Sequence, residues 1–182
     1  MSHAFPSPFV SPRPDGSLLV LRGADGDGAR GQPPIALLWP DPGATPVPGS
    51  PLTAVRTPAG DGLTPWMAPA RADWARRADL FEADARAVGS TPAILPHHAD
   101  VLSDIPSVLT FLRARPAWAL ILCPRWLLTP DMEPRAEDHL RRIGETFGTH
   151  PALRGILLTP DRWHADTIAA WTPAALWTAR LP

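Results

Sequence analysis

The residues of this chain that could do chemistry fall in small groups: His97-His98-Ala99-Asp100, Cys123-Pro124-Arg125, and Thr159-Pro160-Asp161 with Arg162 and His164 just beyond. Arg56 stands apart upstream. An imidazole titrates near neutrality and ligates metals, so His97 or His98 is a candidate proton carrier or metal ligand. The alternative is a histidine that satisfies loop backbone. Asp100 is placed either to orient that imidazole as an acceptor or to cap the turn before Ser103. His97 and His98 are adjacent, so an extended chain sends them to opposite sides and only one to a given pocket. Arg56 and Arg125 suit a substrate carboxylate or phosphate, or an ion pair within the fold. Asp161 joins them as a candidate substrate contact on the same rim, or as a turn cap. Cys123, the single cysteine, is a nucleophile if a base stands beside it and a small apolar packing residue otherwise.

Each group follows a short apolar run, which is what places it. Pro92 to Leu95, Ala117 to Cys123 and Leu153 to Leu158 are too short for helices, are bounded by Pro, Gly and Asp, and read as strands buried on both faces. Between the first two, Asp104-Ile105-Pro106 opens a helix with a cap and an early proline. Val108, Leu109, Phe111 and Leu112 give its apolar side before Pro116. A second helix from about Pro134 carries Ala136, Leu140, Ile143 and Phe147 on one face and ends at Gly148. Ala70 to Val88 is a third, with Trp74, Ala78, Phe81, Ala85 and Val88 along one stripe, Gly89 at its end and a solvated charged face. Strand-helix-strand units of this length pair in parallel with right-handed crossovers. The C-terminal strand ends therefore share one edge, where ligands bind in such sheets and barrels.

The first 70 residues differ in texture, holding 14 of the 25 prolines. Proline this dense prevents long helices. Three short strands fit, Ser17 to Leu21, Ile35 to Trp39 and Leu52 to Arg56. Asp25 and Asp27 in the Gly-rich connector lack the closing Glu of a calcium loop and read as a turn. After Thr159 the chain forms a short helix containing His164 to Ala170, and Ala174 to Thr178 is either a closing strand or a further helical turn. The whole reads as a single domain over 1–182, with a Pro/Gly-rich part to 70 and a β/α part from 70 to 182.

Composition narrows the chemistry. With 17 basic residues against 18 acidic ones, no basic excess argues for nucleic acid or an anionic membrane. The absence of Lys and Tyr excludes a Schiff-base or phosphate-loop lysine and a tyrosine acid or base. Met1 to Pro14 has no apolar stretch suited to a signal peptide and no run is long enough to span a bilayer, so the expected location is cytoplasmic.

Ile94-Leu95-Pro96-His97-His98, the Leu-Ser-Asp-x-Pro that follows with Phe111-Leu112, and Ala119-Leu120-Ile121-Leu122-Cys123-Pro124 resemble the xylose isomerase-like TIM barrels, the sugar phosphate isomerase/epimerase group. Val55-Arg56-Thr57-Pro58-Ala59-Gly60 is similar to the strand and glycine before a helix in that group. The resemblance covers roughly 52 to 160. It implies an abbreviated or partial TIM-barrel-like parallel β/α domain acting on a small sugar or sugar phosphate. A His would be acid/base, with Arg56 or Arg125 at the anionic end. It also implies metal ligands at positions that here carry Leu95, Cys123 and Trp126, which cannot hold a hard divalent cation. No cofactor is therefore expected unless a metal uses a relocated site, and the isomerase activity would be altered or lost. The alternative is a non-catalytic interaction or structural protein of the same fold. A full barrel takes about 250 residues. An open sheet would then need a second copy, a partner subunit or the proline-rich segment to cover it.

Overall fold

The computed structural model describes residues 9–12, 18–22, 35–38, 45–46, 48–159, 168, 170–171 and 177–180. Eight strands form one sheet in sequence order: β1 (Phe9–Pro12), β2 (Leu18–Arg22), β3 (Ile35–Leu38), β4 (Leu52–Val55), β5 (Thr91–Ile94), β6 (Ala119–Leu122), β7 (Leu153–Leu158) and β8 (Trp177–Arg180). The pairs β1–β2 and β2–β3 are antiparallel. From β3 to β8 every pairing is parallel. β1 is a strand the sequence reading does not anticipate. Its Pro12 is tolerated because β1 ends the strand order and, among the described residues, pairs with β2 alone. The run at 174–178, left open between strand and helix, contributes Trp177 and Thr178 to β8.

Parallel neighbours in consecutive order, joined by right-handed crossovers, place every connecting helix on the same face of the sheet. The side chains agree. Val55, Ile94, Leu120, Leu122, Ile156 and Leu158 pack with the apolar stripes of α1 (Ala68–Ala87), α2 (Ile105–Ala114) and α3 (Ala136–Phe147). The alternate strand residues Leu52, Ala54, Ala93, Leu95, Ala119, Ile121, Cys123 and Leu157 form a second buried cluster, built from strands and the residues that directly follow them. Period-two alternation separates the two clusters. Complete burial of a Leu or Ile such as Leu95 or Ile121 contributes roughly 1.5–3 kcal/mol, so this second face is a substantial core.

The helices form where their patterns place them. α1 starts two residues early because Pro69 fits its first turn, and buries Ala70, Trp74, Ala78, Phe81 and Ala85. Val88, expected on that stripe, is instead the C-cap and is exposed, because Gly89 at φ 70° turns the chain away. α2 opens with a capping box in which the Asp104 side chain accepts from the Ser107 N–H at 2.8 Å. α3 follows a 3-10 helix, Pro130–Arg135, so the helical start expected near Pro134 is the end of that tighter turn. No helix among the described residues is long and apolar enough to cross a membrane.

Gly144 and Gly148 lie one turn apart on α3 and its C-cap. A methyl group at Gly144 would run into the Trp171 side chain, and one at Gly148 into the Trp171 carbonyl oxygen. Gly148 therefore admits a neighbouring segment as well as ending a helix. Gly144→Ala is expected to lower stability by about 1–3 kcal/mol through overpacking. Arg142→Ala, on the exposed side of α3, should stay within about 0.5 kcal/mol of wild type. Urea unfolding midpoints at constant m-value check both.

Candidate functional site

At the C-terminal edge of the parallel strands the loops after β4 and β5 are fastened together. The Arg56 guanidinium donates from Nε to Asp100 Oδ2 at 3.0 Å and from Nη2 to Oδ1 at 2.6 Å. The Thr57 backbone N–H donates to the same Oδ2 at 3.0 Å. The Thr57 carbonyl accepts from Val101 N–H at 2.8 Å, and its hydroxyl oxygen from Leu102 N–H at 3.1 Å. Thr57 is fully buried and the Asp100 side chain is 3% exposed. A carboxylate taken this far from water persists because each oxygen is hydrogen-bonded and a cation faces it.

His97 and His98 depart from the extended arrangement. The chain turns at His98-Ala99, with Asp100 N–H donating to the His97 carbonyl at 2.9 Å. The two rings consequently stack, with centroids 4.4 Å apart and planes at 27°. The turn also lets the Ala99 N–H donate to His97 Nδ1 at 3.1 Å. A neutral imidazole that accepts at Nδ1 carries its proton on Nε2. Burial, then the Arg56 charge, lower the His97 pKa from 6.5 to about 4; Asp100 acts in the opposite sense and His98 adds a further lowering. His97 is therefore neutral at pH 7, with an N–H at its outer nitrogen.

Trp126 completes the group. It sits in the 3-10 helix Pro124–Leu127 that follows β6, and packs against the second cluster. The Arg56 guanidinium carbon lies 5.8 Å from its ring centroid and the His97 ring centroid 5.7 Å from it, edge to face. Its carbonyl accepts from the His98 N–H at 2.7 Å, which ties the loops after β5 and β6. Strand alternation puts Arg56 in line with Leu52 and Ala54, and His97 in line with Ala93 and Leu95. The site thus stands at the mouth of the second face, opposite helices α1 to α3.

The structure brings together Arg56, His97, His98 and Asp100 from the sequence-derived set. Asp100 bonds Arg56 and Thr57, so the positioning of the imidazole falls to the Ala99 N–H. Arg125 is ion-paired with Glu133 in the neighbouring 3-10 helix and lies beside Trp126 in sequence. Asp161 lies outside the described residues, as do Arg162, His164, Asp25 and Asp27. Cys123 is fully buried in the apolar second cluster, where it packs as a small hydrophobe. Thr57 and Trp126 were missed as site residues. A threonine directly after a strand's basic residue was the available signal for the first; the second was marked only as a position where the resemblance implies a metal ligand.

The metal ligands implied by the resemblance do not fit. Leu95 and Cys123 sit inside the apolar cluster, and an indole occupies the third position. No group of three or more His, Cys, Asp or Glu among the described residues is arranged to hold a metal ion. Comparison with protein families, with curated proteins and with solved structures returned no match.

Two outcomes follow. Asp100→Asn leaves Arg56 without its counter-charge at a side chain only 13% exposed, and should cost about 3 kcal/mol in urea unfolding. For His97 the folded pKa is depressed, so between about 4 and 6.5 the unfolded chain binds the extra proton. Its contribution to stability is present above pH 6.5 and is lost as pH falls toward 4. In His97→Gln the stability-versus-pH curve should be flatter than wild type across that window, as followed by urea midpoints at several pH values.

Proposed function

We propose that this domain binds a sugar or sugar phosphate at the C-terminal edge of its parallel strands, as an abbreviated TIM-barrel-like relative of the sugar phosphate isomerase/epimerase group from which metal-dependent chemistry has gone. One observation carries the reading: Arg56, His97 and Trp126 converge at the mouth of an apolar-lined face. A guanidinium has five N–H bonds, of which Asp100 takes two. The other three have no acceptor among the described residues, and neither does His97 Nε2. These groups donate, which suits the oxygen atoms of an anionic ligand. The ring of Trp126 adds an apolar surface for the carbon skeleton. Helices α1 to α3 on one face, with the other face forming its own core, support the barrel-like relationship.

That Leu95, Cys123 and Trp126 stand where the resemblance implies metal ligands supports binding over isomerisation. Any residual chemistry would be proton transfer beside a sugar carbonyl, and a histidine held near pKa 4 is a weak base for it.

A second reading, a non-catalytic interaction or structural protein of the same fold, is favoured by Trp66 and Met67. They are 71% and 53% exposed in the loop between β4 and α1. Thermal unfolding with fructose 6-phosphate, glucose 6-phosphate and the two neutral sugars separates the readings. A bound ligand at a hundred times its Kd adds about 2.7 kcal/mol, a midpoint rise of roughly 5–10 °C. A rise for the phosphates is expected. No rise for any of the four compounds favours the second reading.

A further inference from the structure

We infer that His97 serves this site as a neutral hydrogen-bond donor, its Nε2–H and the unengaged N–H groups of Arg56 together holding a ligand oxyanion, carboxylate or phosphate. The inference rests on the ligand-binding reading above and assigns the histidine's part in it. The geometry that requires it is local. The Ala99 N–H occupies Nδ1. The outer nitrogen is the one left to meet a ligand, and in the neutral ring it carries the proton. The stack on His98 and the edge contact with Trp126 hold the ring plane, so the donor direction is set before a ligand arrives.

Burial, more than the charged surroundings, keeps the ring neutral. Arg56 from the end of β4 and the adjacent His98 oppose a second proton, and Asp100 favours one. Arg125, on the same turn as Trp126, is balanced by Glu133. Burial decides the outcome in favour of the neutral ring. The consequence is a division of labour: Arg56, its charge countered by Asp100, supplies its unengaged N–H donors, and His97 supplies direction without adding charge. A site of this kind accepts an oxyanion without needing acid pH.

The test has two arms. Two-bond proton-nitrogen correlation spectra of the full chain, with ¹⁵N-labelled histidine at pH 7, should show His97 protonated at Nε2 and bare at Nδ1. An Nδ1–H pattern, or an imidazolium pattern, would overturn the inference. In the second arm, calorimetric affinities for inorganic phosphate, fructose 6-phosphate and gluconate are compared among wild type, His97→Gln and His97→Ala. Glutamine offers an N–H near the Nε2 position and should bind within a few-fold of wild type. Alanine should bind about tenfold more weakly. Gluconate against the two phosphates tells a carboxylate from a phosphate ligand, and inorganic phosphate against fructose 6-phosphate shows whether the sugar contributes. Equal affinity of His97→Ala and wild type overturns the role of His97 while leaving the ligand-binding reading standing. No binding of any probe to wild type overturns both.

Discussion

The pairing of Arg56 with Asp100 is the constraint on which the strand-end region depends. Three donors from the β4 side meet one carboxylate from the β5 side, and the Thr57 carbonyl and hydroxyl return two more bonds across the same seam. Two buried charges are costly to desolvate, so the pair's value lies less in net stability than in the single geometry it enforces. With Asp100 fixed, the turn from His97 to Asp100 is fixed. With that turn fixed, the His97 tautomer, the stack on His98 and the bond from His98 to the Trp126 carbonyl follow. Loops after three strands are therefore registered on one another before any ligand is present.

The two faces of the sheet divide the work. Helices α1 to α3 cover one face and provide the large aromatic contacts, such as Trp118 against Phe111 with centroids 5.2 Å apart and its indole N–H donated to Glu82 at 2.8 Å. The other face is packed with aliphatic and small side chains and ends, at the mouth, in a cation, two imidazoles and an indole. Two of the positions at which the resemblance implies metal ligands, Leu95 and Cys123, lie in the apolar cluster. What is left is a donor-rich rim above an apolar floor. Donor groups of this kind suit the oxygen atoms of the ligand proposed above.

Much of the fold was legible in the sequence. Apolar runs at 92–95, 117–123 and 153–158 and the stripes beginning at Ala70, Ile105 and Ala136 gave elements and a shared strand edge, since periodicity and proline or glycine stops are local signals. β1 escaped because a four-residue strand ending in proline has no periodicity to detect. Gly148 read as a helix stop, while its packing and that of Gly144 against Trp171 depend on a segment distant in sequence. At the site, Arg56, His97, His98 and Asp100 stood out by residue type. Their connections did not. That Asp100 would choose Arg56 and Thr57 over an imidazole, and that a turn would stack two adjacent histidines, are decided by the juxtaposition of separate strands, which no local pattern encodes.

Amide chemical-shift mapping during titration with fructose 6-phosphate shows whether the strand-end group binds an anionic ligand. The account predicts saturable shifts concentrated at Thr57, His97, His98, Ala99 and Trp126, with the amides of α1 and α3 unmoved. Saturable shifts confined to the helical face, or no saturable shift at millimolar ligand, would contradict it.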